Sequence, residues 1–163
     1  MDRRAALVVL AGLAGSVAVA EPKEPATIRD LDIEVRDTSS GVTWRLPQLI
    51  QRGGVLVVID CGSRGAAAWL AHELPKLQPV QLEQLVVLLV DRRRPDAPLL
   101  AEIAQYPGLR LYRATGDQWP ERMVGAVLPQ IVAFDKGGVL KSRLLGVGPG
   151  RPGIADVMTV LDL

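Results

Sequence analysis

One thiol, one imidazole and a handful of carboxylates are the groups in this 163-residue chain whose types and positions suit chemistry. Cys61 is the only cysteine and His72 the only histidine. The cysteine lies in "DCGSRGAAAWL", residues 60 to 70, between an apolar run and a helix-like one. A sulfur just ahead of a helix start has its thiolate favoured by the helix dipole, and Arg64 adds a guanidinium close by. Such a thiol forms mixed disulfides or a sulfenic acid, with Cys61 as the catalytic nucleophile and an external thiol as resolver. Cys61 also reads as a small hydrophobe that ends a buried strand and points into the core. Both readings are open at this level, and with them whether the chain is an enzyme. A single cysteine makes no internal disulfide. One cysteine and one histidine do not build a zinc or copper site of ordinary ligand count, so neither a metal nor a cofactor is expected. Asp91 and Asp117 fall where α/β folds place functional side chains, although capping explains both. A glycine-rich phosphate loop and a Ser-His-Asp set are both missing.

Charge and address narrow the surroundings. Met1 to Arg4 carries two arginines, Ala5 to Val19 is nearly all apolar or small, and Ala18-Val19-Ala20 forms a small-x-small site before Glu21-Pro22. This is the layout of a secretory signal peptide over residues 1–20, and the apolar run is shorter than the roughly 20 residues that span a bilayer. The alternative is that the segment is kept as an anchor. Cleavage leaves a flexible leader over 21–27, one domain over 28–163 and a periplasmic location, with no membrane segment after processing. It also removes Asp2, Arg3 and Arg4, which leaves basic and acidic side chains equal in number. Without a basic field, nucleic acid is not an expected partner. The local run Arg92-Arg93-Arg94 precedes Pro95 and reads as a solvated loop.

The elements that must position these residues alternate along the chain. "IRDLDIEVRD", 28–37, reads as a strand with one wet face, and "TWRLPQLIQRGG" as a short helix stopped at Gly53-Gly54. "VLVVI", 55–59, and "LVVLLV", 85–90, are continuous apolar runs of the kind buried on both sheet faces. Ser63 caps a helix from about 64 to 78, which Pro75 bends or shortens. Asp96 opens a helix ending near Tyr106, "LRLYRA" is a further strand, and Asp117 to Val124 a short helix. "QIVAFD", the turn Lys136-Gly137-Gly138 and "VLKSRLLG" make a hairpin. After the Gly-Pro-rich "GVGPGRPG", Ile154 to Leu161 closes the chain as a helix. Alternating buried strands and helices predict a mixed α/β sheet with helices on both faces and an antiparallel edge.

Residues 127 to 146, "VLPQIVAFDKGGVLKSRLLG", resemble the C-terminal half of the thioredoxin fold. The helix-strand-helix segment before them is similar to the insertion of TlpA- and ResA-like periplasmic thioredoxins. "ELPKL", Glu73 to Leu77, resembles that group's Glu-x-Pro element. The resemblance implies a cis bond before Pro129, with the Leu128 backbone free to pair with an extended partner segment. The family's dithiol does not carry over: aligned on Pro75 its two cysteines fall on Ala67 and Leu70, aligned on the strand they fall near Arg64 and Ala67. What the resemblance implies is therefore a degenerate, non-dithiol site. Its expected contacts are Leu128, Pro129, Trp119 and Arg64, and its expected partner is another envelope or periplasmic protein. The alternative is monothiol thiol-disulfide exchange through Cys61.

Overall fold

The structure is a computed structural model, and it describes residues 27–50, 53–91, 97–115, 127–147 and 150–163. The expected signal, residues 21–26 of the expected leader, Trp119, Asp117 with its short helix, and the Arg92–Arg94 run lie outside the described residues.

Among the described residues seven strands form one mixed sheet: β1 (Glu34–Asp37), β2 (Thr43–Arg45), β3 (Gly54–Asp60), β4 (Leu85–Val90), β5 (Arg110–Ala114), β6 (Gln130–Phe134) and β7 (Leu140–Leu145). Their spatial order is β2-β1-β5-β4-β3-β6-β7. The central strands β3, β4 and β5 are parallel, while β6 runs antiparallel to β3 and β7 antiparallel to β6. The helices are α1 (Leu46–Leu49), α2 (Arg64–Glu73), α3 (Pro79–Glu83), α4 (Ala97–Ala104) and α5 (Ile154–Val160).

The unbroken apolar runs are explained by the two cores. On β3, Val55, Val57 and Ile59 face one cluster, completed by α2, α3, α4 and α5. Leu56 and Val58 face the other, where α1 and the first turn of the domain supply Leu46, Ile50, Ile28 and Leu31. Because successive side chains on a strand point to opposite faces, a strand with a core on each side has no position left for a polar residue. β4 repeats the division, with Leu85, Val87 and Leu89 on one face and Val86, Leu88 and Val90 on the other.

Two elements differ from the sequence expectation, and a third is shortened at Pro75 as expected. Residues 28–31 form a 3-10 turn rather than the start of a strand; Ile28 and Leu31, three apart, are both buried by it, and the strand begins only at Glu34. β1 then pairs antiparallel with β2 and with β5, so residues 43–45 are an edge strand and not the first turn of a helix. Helix α2 stops at Glu73, a 3-10 turn at Leu74–Lys76 carries Pro75, and α3 starts separately at Pro79. The pyrrolidine ring removes the amide that would have continued the α-helical ladder. The Gly53-Gly54 stop is met, and for a double reason. Both residues have positive φ, 84° and 148°. A Cβ there would also lie 2.6 Å from the Asp135 carbonyl oxygen and 2.5 Å from that of Gln84, respectively. Only glycine allows this close approach.

Candidate functional site

The carboxyl ends of β3, β4 and β5 and the amino end of β6 meet at one corner of the sheet. Asp60 ends β3 with only 5% exposure, and its carboxylate accepts the Gly62 amide at 3.0 Å. The next amide, of Cys61, donates to the Val90 carbonyl at 3.0 Å and so extends the parallel ladder by one residue. The chain then turns, the Ser63 amide donates to the Asp60 carbonyl, and Ser63 Oγ accepts the Ala66 amide at 3.3 Å as the cap of α2. Capping at this position satisfies a helix-end donor and sets where the helix begins.

Cys61 is 1% exposed and belongs to the core cluster of α2. Its thiol donates to Asp91 Oδ1 at 2.7 Å, and Arg113 Nη1 donates to the other oxygen of that carboxylate at 3.3 Å. Burial pushes the thiol up to about 12; the hydrogen bond and the charge of Asp91 act in the same direction, and Asp60 adds to them. The guanidinium that opposes the rise is that of Arg113 on β5. Arg64, the first residue of α2, is exposed. A protonated thiol that donates to a carboxylate is not a nucleophile in waiting, since the thiolate is the attacking form. In sequence terms Asp91 was visible as an acid at a strand end. Arg113 was not, because its part depends on β5 lying next to β4.

Across the corner, the Leu128–Pro129 peptide bond is cis. Gln130 lies opposite Val58 in the antiparallel β3–β6 pair. The pairing ends there, which sets the loop before β6 and the turn carrying Cys61 at the same end of these two strands. Pro129 is buried and its carbonyl accepts the Gly146 amide at 2.8 Å. Gln130 is fully buried; its Nε2 donates to the Val127 carbonyl at 2.6 Å and its Oε1 accepts from Arg143 Nε at 3.4 Å. Leu128 is half-buried, and neither its amide nor its carbonyl makes a backbone hydrogen bond within the described residues.

Two positions that the family's dithiol would occupy are plain packing: Ala67 and Leu70 are 1% and 0% exposed on the inner side of α2. Glu73, from the Glu-x-Pro element, is a buried carboxylate with a structural task. It accepts the Ile154 amide at 3.2 Å at the start of α5 and meets Lys76 Nζ at 2.6 Å. His72 lies on the surface, 3.4 Å from the same carboxylate. Among the described residues no group of three His, Cys, Asp or Glu side chains gathers as metal ligands. Trp69 packs against the core, whereas Trp44 is exposed on the edge strand β2.

A mixed sheet in this order, with the cis proline beside the turn that opens the first long helix, decides the architecture. The fold is that of thioredoxin. Solved structures share it at low sequence identity. A thioredoxin-like protein of Porphyromonas gingivalis superposes with a TM-score of 0.57 at 11% identity, covering 86% of this chain and 90% of that one. The pneumococcal exposed lipoprotein thioredoxin of Streptococcus pneumoniae gives 0.56 at 15% identity, over 80% of this chain and 98% of its own. A secreted Mycobacterium tuberculosis disulfide oxidoreductase homologous to DsbE of E. coli gives 0.55 at 12%, over 82% and 97%. No family model matches the chain. No curated protein matches it. Among the described residues no helix is long and apolar enough to cross a membrane.

Proposed function

We propose that this chain is a partner-binding thioredoxin-fold module of the bacterial cell envelope, of the TlpA- and ResA-like type, that works without dithiol turnover. The observation that carries the reading is the pairing of an idle backbone with a silenced thiol. Leu128 offers an amide and a carbonyl at the corner where a thioredoxin fold receives extended segments, while Cys61 is buried, protonated and committed to Asp91. An unpaired strand end of this kind is a template for β-augmentation, in which main-chain hydrogen bonds supply affinity and neighbouring side chains supply selectivity. The secretory layout of residues 1–20 supports a site outside the cytoplasm, in line with solved structures of the same fold that are described as secreted or as an exposed lipoprotein. Trp119 remains part of the proposed contact surface on sequence grounds.

The second reading, monothiol exchange through Cys61, has one observation in its favour: Asp91 stands where a proton acceptor for the thiol would be needed. Against it stand the burial of the sulfur and the raised thiol. A photo-crosslinking side chain at Val127, in the exported full-length chain, distinguishes the two. Under the binding reading it captures discrete partner proteins, and the pattern survives Cys61→Ser. Loss of every captured species on that substitution, or capture of none, removes the reading.

A further inference from the structure

The structure assigns the open edge at β2 to a second copy of this chain, paired antiparallel about a two-fold axis at Thr43. The surface is separate from the Leu128 corner, and its pairing does not rest on the partner-binding reading. β2 ends the strand order, so among the described residues no strand lies beyond it. Which of its main-chain groups face outward follows from the hydrogen bonds. The Val42 carbonyl accepts the Asp37 amide at 2.9 Å and the Leu46 amide donates to the Ile33 carbonyl at 2.9 Å, so Val42, Trp44 and Leu46 turn their main chain toward β1. By alternation Thr43 and Arg45 turn theirs away. β1 agrees with this. Its Glu34 carbonyl accepts the Thr115 amide and the Thr38 amide donates to the Leu111 carbonyl, so Arg36, opposite Thr43, faces β5 as well. Gln48 Oε1 already accepts the Arg45 amide at 3.0 Å. That leaves the amide and carbonyl of Thr43 as the open pair on this edge.

One open residue fixes the register. Two copies that exchange both hydrogen bonds at Thr43 set Val42 of each directly opposite Trp44 of the other. These two side chains are large, apolar and exposed, at 49% and 43%. They lie two apart on one face of the strand, the face on which Trp44 stands opposite Val35. Each tryptophan therefore covers a valine of the other copy. Aromatic against β-branched is a favourable cross-strand pair, and threonine against threonine is another. The next position sets Arg45 opposite Gly41, which has no side chain to obstruct it. Charge favours the same register. Arg45 has two carboxylates beside it, Asp32 at 3.7 Å and Glu34 opposite it on β1. At the Gly41 end stands the Arg36 guanidinium, whose Nε donates to the Gly41 carbonyl at 3.0 Å. Antiparallel pairing brings the net negative end of each strand against the positive end of the other. A two-fold copy supplies this match on both sides at once.

The test is sedimentation of the protein recovered from the periplasm over a concentration series, beside variants at this edge. A reversible monomer–dimer equilibrium is expected. Trp44→Lys, at an exposed position, is expected to weaken the dimer at least about tenfold. Thr43→Pro removes the outward amide, and with it both central hydrogen bonds, and is expected to have the same effect; proline is tolerated at such a position on an edge strand. If Thr43→Pro does not fold, Trp44→Lys carries the comparison. Hydrogen-bonded partners in an antiparallel pair have Cα atoms about 5.5 Å apart, within disulfide range. Mild oxidation of Thr43→Cys is therefore expected to give a dimer bridged between the two introduced thiols, and to do so faster than oxidation of Val160→Cys, which is exposed on α5. A protein that is monomeric at every concentration overturns the inference. So does a dimer that neither edge variant weakens, or a bridge that forms no faster at Thr43 than at Val160. A mixed disulfide between Thr43→Cys and a different protein, in place of the symmetric dimer, also overturns it and gives the edge to a foreign strand.

Discussion

Cys61 shows how far a residue's neighbours override its type. In sequence it precedes a helix and an arginine, which favours a thiolate; in the fold it sits against Asp91 inside the core, which favours the thiol. The folded protein should therefore react with a thiol reagent at neutral pH on the order of a hundredfold more slowly than the unfolded chain, because only the thiolate attacks and the sulfur is covered. The pH dependence has a definite sign. The thiol is raised from 9.0 to about 12, so deprotonation costs more in the folded state than in the unfolded one. The stability this provides is whole below pH 9.0 and is lost as the pH climbs from there toward about 12. Denaturation midpoints of the wild type and Cys61→Ala, compared across that window, should converge or cross as the pH rises. Asp91→Asn removes a charge and retains an acceptor, so its thiol should ionise at lower pH than that of the wild type, read from thiolate absorbance. An unchanged titration would show that burial alone holds the thiol.

At the scale of elements, the tie between α2 and α5 is the one most open to test. Glu73 closes the amino end of α5 through the Ile154 amide, and a Cβ on Gly153 would overlap its carboxylate. Glu73→Ala leaves that buried amide without its acceptor, and Gly153→Ala displaces the carboxylate. Each should cost about 1–3 kcal/mol in chemical denaturation, and the pair should be less than additive because both act on one contact. How legible these elements were follows from what each depends on. β3 and β4 could be read directly, because a strand between two cores must be apolar at every position. The Ser63 cap and the Gly53-Gly54 stop were also legible, being local chemistry. The 3-10 turn at Ile28–Leu31 was not, since its apolar spacing fits a short turn as well as an irregular strand. β1 falls within the strand read over 28–37, whereas β2 escaped because it is exposed along its whole length and is held by pairing with β1 rather than by a pattern of its own.

For the whole molecule, a thioredoxin fold with a single cysteine cannot complete an internal dithiol cycle. The purified domain should therefore leave the rate of insulin reduction by dithiothreitol at background, and turbidity rising faster than the thiol-only control would count against a non-dithiol role. The secretory layout predicts that protein recovered from the periplasm has the mass of Glu21 to Leu163, and an unprocessed mass would favour a retained anchor.

The order of residues was enough to establish the alternation of strands and helices, the hairpin at the chain's end and the lack of a second thiol, because each is a matter of local pattern or of simple count. The state of Cys61 was beyond its reach. That state is set by Asp91 and Arg113, which arrive from two other strands, and by a core that closes over the sulfur. Contacts between segments distant along the chain leave no periodicity to read, and exist only once the sheet has brought those segments side by side.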